Sequence, residues 1–125
     1  MKATLVKFPY VVNTGDECKG PRPQTREGRA ILFEGERRQV LFAANYYGKG
    51  GEFFPITGTA EDGRPELDGS VLDGSVWDYT VPEGPMTVVE ELPFTPYEVR
   101  AVLAMPEQQK AYREIVARCS DHVKK

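Results

Sequence analysis

Hydrophobic and polar positions alternate over residues 3–12. Thr4, Val6 and Phe8 fall on one face and Leu5 and Lys7 on the other, which predicts a β-strand. The pattern stops at residues 13–28, a polar stretch broken by Gly15, Gly20, Pro21, Pro23 and Gly28, and a long loop is expected there. Two further strands are predicted over 29–33 and 37–47, with Glu34-Gly35-Glu36 as the tight hairpin between them. In the second, Val40, Phe42, Ala44 and Tyr46 share one face, and Leu41, Ala43, Asn45 and Tyr47 share the other. Both faces are mainly apolar, so this strand is expected at the centre of a sheet covered on both sides. Gly48-Lys49-Gly50-Gly51 reads as a turn into a strand over 52–57, where Pro55 cannot donate to a ladder and marks an edge or a bulge.

From 58 to 75 the chain is rich in turn signals. Asp62-Gly63, Asp68-Gly69 and Asp73-Gly74 each suit a turn with positive φ. Leu67-Asp68-Gly69-Ser70-Val71 is repeated as Leu72-Asp73-Gly74-Ser75-Val76, but a unit of five residues is too small and too few to stack as a solenoid. A calcium loop is suggested by the aspartate spacing, yet the EF-hand pattern is absent. Strands are expected over 77–81, with Trp77, Tyr79 and Val81 on one face, and over 87–92. The ending reads as helical. Thr95-Pro96-Tyr97-Glu98 supplies an N-cap, a proline at the first helical position and a glutamate three residues after the cap. Pro106 should end that helix and open a second, whose apolar stripe is Tyr112, Ile115, Val116, Cys119 and Val123. Strands first and helices last predict an α+β fold: an antiparallel β-sheet of about five to seven strands followed by two C-terminal α-helices. The 125 residues suit a single domain, mainly β over 1–92 with long loops at 13–28 and 58–75, and two helices within 95–123.

Charge adds an unevenness that the net value of −3 conceals. Residues 1–60 carry nine basic and six acidic side chains, 61–98 carry one and ten, and 99–125 carry six and three. An acidic middle between basic ends permits local anion-binding patches but does not suit duplex nucleic acid. It also permits a second reading, in which 61–98 covers a basic surface of a partner protein and inhibits it. No apolar run is long enough to span a bilayer. The opening residues lack a signal-peptide core, because Lys7 and Pro9 interrupt the apolar stretch. The expectation is a cytoplasmic protein with Cys18 and Cys119 reduced.

Candidate chemistry is sparse. His122 is the single histidine and there are two cysteines, which excludes a four-ligand zinc site built from Cys and His alone. Gly48-Lys49-Gly50-Gly51 lacks the Walker spacing and is followed by Glu52-Phe53-Phe54-Pro55 rather than a helix start. Cys18 lies among Lys19, Arg22 and Arg26, where a thiolate is favoured, but no histidine neighbours it as a base. Glu90 and Glu91 point to opposite faces of a strand and do not form an acid–base pair. No catalytic residues, metal or cofactor are therefore expected.

What remains is a set of guanidinium groups and rings. Arg22, Arg26 and Arg29 lie close in sequence; Asn45, Tyr47 and Lys49 end the central strand; Trp77 and Arg100 come from later elements. Arginine binds phosphate bidentately, rings stack on bases and Asn reads a purine edge. The competing reading is that the rings are core. Together these eight residues form the expected ligand site, for a small anionic nucleotide-type molecule held without chemistry. The apolar faces of 39–47 offer more surface than two short helices cover, which predicts a homo-oligomer.

With its strand pair ending in Asn45-Tyr46-Tyr47, the following Phe53-Phe54-Pro55 and the closing helices from Thr95 and Pro106, the chain resembles the phage anti-Thoeris "sponge" proteins. That resemblance implies a non-enzymatic oligomer that sequesters a cyclic nucleotide-type immune signal at subunit interfaces. It further implies Arg26, Arg29 and Arg100 on phosphate and Asn45 and Tyr47 on the base.

Overall fold

A computed structural model describes residues 1–13, 18, 20, 22–44, 51–68, 79–104 and 112 of the chain. The strands are β1 (Lys2–Asn13), β2 (Pro23–Glu34), β3 (Gln39–Ala44), β4 (Gly51–Thr59), β5 (Pro65–Leu67) and β6 (Thr87–Glu91), followed by helix α1 (Pro96–Leu103). They form one six-stranded sheet in the order β5-β4-β3-β2-β1-β6, antiparallel throughout. The fold is mostly β, with α1 as the helical part of an α+β arrangement. The second expected helix, from Pro106, lies outside the described residues except for Tyr112; of the expected strand over 77–81, residues 77 and 78 lie outside them, and 79–81 form no strand beyond a single bridge at Tyr79.

The expected loop over 13–28 is corrected. Residues 23–28 belong to β2 and pair with β1, Gly28 opposite Phe8, Arg26 opposite Tyr10 and Thr25 opposite Val11. These residues are polar and look like loop locally. The ladder set by the apolar pairs Ala3–Phe33 and Leu5–Ile31 continues outward and carries them along. The 58–75 expectation also changes: β4 runs to Thr59 and β5 occupies 65–67, while 69–75 lie outside the described residues. Between these strands Gly63 adopts φ 89°, as its Asp-Gly pairing predicts. Asp62 accepts hydrogen bonds from the Arg64 backbone N–H and guanidinium, and these contacts hold its carboxyl below the usual value. Pro55 marks a bulge rather than an edge, since β4 lies between β3 and β5 and its register shifts between Ile56 and Gly58.

Both faces of the sheet are covered, as the two-faced pattern of β3 requires. On one face, Ala3, Ile31, Phe33, Val40, Phe42 and Phe53 meet Val99, Val102 and Leu103 of α1. Rings interlock here: Phe42 and Phe53 stand 4.9 Å apart, and Phe33 meets Phe94 edge-on at 5.4 Å. α1 is fixed in place by the predicted capping box, with Thr95 Oγ1 accepting from Glu98 N and Glu98 accepting from Thr95 N. On the other face, Val6, Phe8, Ala30, Leu32 and Leu41 pack with Tyr10, Ile56, Leu67 and Met86.

Residues 79–86 run across that second face as a strap. Thr80 N donates to Ala44 O, Tyr79 meets Phe54 edge-on at 5.6 Å, and Glu83 N donates to Pro9 O. The Glu83 carboxylate in turn accepts from Val11 N at 2.6 Å. Over Val40 to Ala44, the described part of the apolar strand from which a second copy was expected, every residue is buried within the chain itself.

Gly28 is where strap and hairpin come closest. A Cβ there would lie 2.5 Å from a Phe8 ring carbon, 2.8 Å from Thr80 Cγ2 and 2.9 Å from a Tyr10 ring carbon. Gly28→Ala is expected to cost about 1–3 kcal/mol, the usual penalty of overpacking. Urea denaturation reads it, and an unchanged midpoint would show that the strap does not press on β2.

Candidate functional site

The strand register decides what becomes of the expected site. Arg26 lies opposite Tyr10 and Arg29 opposite Lys7, so their side chains leave opposite faces of the sheet. Each is engaged by a neighbour two positions back on its own face. Gln24 Oε1 accepts from Arg26 Nε and Nη2 at 3.3 and 3.0 Å, and Glu27 Oε2 accepts from Arg29 Nε and Nη2, both at 3.2 Å. Glu27 also faces Lys7 Nζ at 3.9 Å. Arg22 is exposed just before β2 and makes an interaction of its own.

Arg100 is remote from this group. It borders the turn at the Lys2–Glu34 end of the β1–β2 ladder, eight positions from the Tyr10–Arg26 pair, or about 26 Å along the strands. One chain therefore does not gather Arg22, Arg26, Arg29 and Arg100 around one pocket. Asn45, Tyr47, Lys49 and Trp77 lie outside the described residues.

Beside Lys7 and Pro9 there is a mainly apolar hollow of about 400 Å³, bordered also by Phe8, Thr25, Arg26, Glu27, Pro85 and Thr87, so that Arg26 is the one residue of the expected site that lines it. Of its two cationic side chains, Lys7 faces Glu27 at 3.9 Å, and the Arg26 guanidinium is held by the neutral Gln24.

The arginines that do converge are Arg37, Arg38 and Arg100. The β2–β3 turn is closed by Gly35 N donating to Arg38 O at 2.8 Å, which leaves residues 36–38 exposed. Gly35 lets the turn lie against the end of α1, because a Cβ there would sit 2.7 Å from Leu103 Cδ1. Arg38 Nη1 donates to Leu103 O at 2.6 Å and so caps a carbonyl that the helix leaves unpaired. A hollow of about 330 Å³ results, lined by Met1, Gly35, Glu36, Arg37, Arg38, Arg100 and Leu103. On the far side of the same turn a second hollow, of about 340 Å³, adds Gln39, Thr57 and Thr59 to Arg37 and Arg38.

The charge balance of the first hollow is positive. Three guanidinium groups face one carboxylate, Glu36, while the nearby Glu34 is matched by Lys2 at 3.6 Å and by Gln39 Nε2 at 2.9 Å. The side chains of Arg37 and Arg100 make no hydrogen bond or ion pair among the described residues. Tyr97, one helical turn before Arg100, is 72% exposed and meets Tyr112 edge-on at 6.4 Å. Burial and then the Tyr97 contact raise the Tyr112 phenol above its usual value.

Chemically, the cleft can hold an anion through paired guanidinium hydrogen bonds. Among the described residues no three His, Cys, Asp or Glu side chains gather around a metal position, and Cys18 carries a free, exposed thiol. No helix of the described residues is long and apolar enough to cross a membrane. Arg37, Arg38 and Tyr97 were missing from the expected site. Two adjacent arginines after Glu-Gly-Glu were their signal: within a strand they point apart, whereas in a turn both can reach outward. No protein family, curated protein or solved structure matches this chain.

Proposed function

We propose that this chain binds a small anionic ligand of nucleotide type and leaves it chemically unchanged, with Arg37, Arg38 and Arg100 around the phosphate. The observation that carries the reading is the cleft itself: three guanidinium groups around about 330 Å³, opposed by Glu36 alone, with Arg37 and Arg100 uncommitted among the described residues. The volume suits a phosphate and part of a sugar or base. Tyr97 supplies an exposed ring one turn from Arg100 for the remainder, and such stacking contributes about 1–3 kcal/mol per base. The resemblance to signal-sequestering sponge proteins supports the nucleotide class and the role of holding a ligand rather than converting it.

Calorimetry with cyclic and linear nucleotides, inorganic phosphate and an uncharged nucleoside tests this. Heat is expected with the phosphorylated ligands, at one ligand per chain, weakening as salt is raised and absent with the nucleoside. Mass spectrometry after denaturation should recover the ligand intact. Absence of heat with every phosphorylated ligand, or recovery of a cleaved product, overturns the reading.

A further inference from the structure

The two edges of the sheet are finished differently. β5 is three residues long and begins with Pro65, which has no N–H to offer, and the turn before it packs against Pro85 (a Cβ on Gly63 would lie 3.1 Å from that ring). β6, at the opposite edge, has five residues, Thr87-Val88-Val89-Glu90-Glu91, all exposed and none of them Pro or Lys. It spans about 17 Å. Its inner side pairs with β1, with one register shift opposite Leu5 and Val6 that leaves Val89 without a partner position. Its outer side faces no further strand among the described residues. Two aliphatic side chains stand in water there, Val88 at 62% exposure and Val89 at 40%. Natural edges are commonly guarded by lysine, proline, other charges or a bulge; β6 has no lysine or proline, and its guards are Glu90, Glu91 and the irregularity at Val89.

Charge narrows what such an edge accepts. Residues 65–98 contain eight carboxylates and no Lys or Arg, and two of the eight are on β6 itself. Pairing β6 with the β6 of a second copy, antiparallel about Val89, would place the Glu90 residues of the two copies two positions apart, with the Glu91 residues four positions apart. Like charges so close along a ladder oppose pairing. A basic strand meets no such opposition. In an alternating segment, a lysine or arginine across from Glu91 and a β-branched residue across from Val88 give favourable cross-strand pairs.

We infer that the outer edge of β6, open among the described residues, takes an extended segment of a partner protein, with alternating basic and aliphatic residues, as a seventh strand of the sheet. The main-chain ladder supplies affinity, and Glu90, Glu91 and the two valines supply selectivity. This site is independent of the arginine cleft.

The probe is a blocked octapeptide of alternating Lys and Val, titrated against the full chain by fluorescence anisotropy. Two controls accompany it, one with every Lys changed to Glu and one with alternate Val changed to Pro, which keeps the charge but cannot complete a ladder. Binding by the Lys/Val peptide alone is expected, with slowed amide hydrogen exchange confined to β6. Glu90→Lys/Glu91→Lys should weaken it about tenfold or more, with an unchanged circular dichroism spectrum because both side chains are exposed, while Arg37→Ala/Arg100→Ala leaves it intact. The inference is overturned by no binding, by equal binding of the proline control, or by protection elsewhere than β6. It is equally overturned if β6 protection rises with protein concentration in the absence of peptide, since a second copy then occupies the edge.

Discussion

Phe42→Ala is expected to remove about 3–5 kcal/mol of folding stability, the usual cost of truncating a buried phenylalanine to alanine. Phe42 is 1% exposed on β3, opposite Ile31 of β2 on one side and Phe53 of β4 on the other, with its ring 4.9 Å from that of Phe53. The neighbouring rings and strands are themselves fixed by the sheet ladder, so the space left behind cannot collapse fully. Domains of this size are stable by about 5–15 kcal/mol, so the variant should sit near the margin of folding. The effect should reach the cleft as well. Phe42 shares its cluster with Val102 and Leu103 of α1, and Leu103 carries the carbonyl that Arg38 holds. Val88→Ala is the contrasting control, expected within about 0.5 kcal/mol because Val88 is exposed. Urea denaturation of both variants decides the matter; a Phe42→Ala loss below about 1 kcal/mol would contradict the placement of this ring in the core.

What could be read from the sequence was what is local. Period-two alternation assigned the faces of β1 and β3 correctly, and Thr95-Pro96-Tyr97-Glu98 marked the start of α1 because a capping box is complete within four residues. The outer half of β2 was hidden because its residues 23–28 are polar and take strand geometry from their partners on β1. The grouping of the arginines within the expected site went astray in the same way. Arg22, Arg26 and Arg29 look like one patch when counted along the chain, but a strand sends positions 26 and 29 to opposite faces. It also brings Gln24 onto Arg26 and Glu27 onto Arg29. Those i, i+2 pairings could have been read from the sequence once a strand was assumed. The meeting of Arg38 with Leu103 could not, since the two are 65 positions apart and joined only through the tertiary fold.

The arginine cleft makes the other large prediction. Arg37 and Arg100 are exposed, and neither side chain has a hydrogen bond or ion pair among the described residues, so truncating both should change stability by no more than about 0.5 kcal/mol. Each charge-assisted hydrogen bond to a phosphate contributes about 1.5–3 kcal/mol, so losing at least one from each side chain removes about 3 kcal/mol or more. That corresponds to a loss of about a hundredfold or more in affinity. Arg37→Lys/Arg100→Lys should fall between, because lysine keeps the charge but not the planar fork. Arg38 is less suited to the test, since its bond to Leu103 gives it a structural role too. The decisive measurement is a calorimetric titration of wild type and of Arg37→Ala/Arg100→Ala with the tightest-binding nucleotide of the panel, at matched salt. A variant that melts like wild type yet binds at least about a hundredfold more weakly is the predicted result. Equal affinity in the two proteins would contradict the cleft as the ligand site.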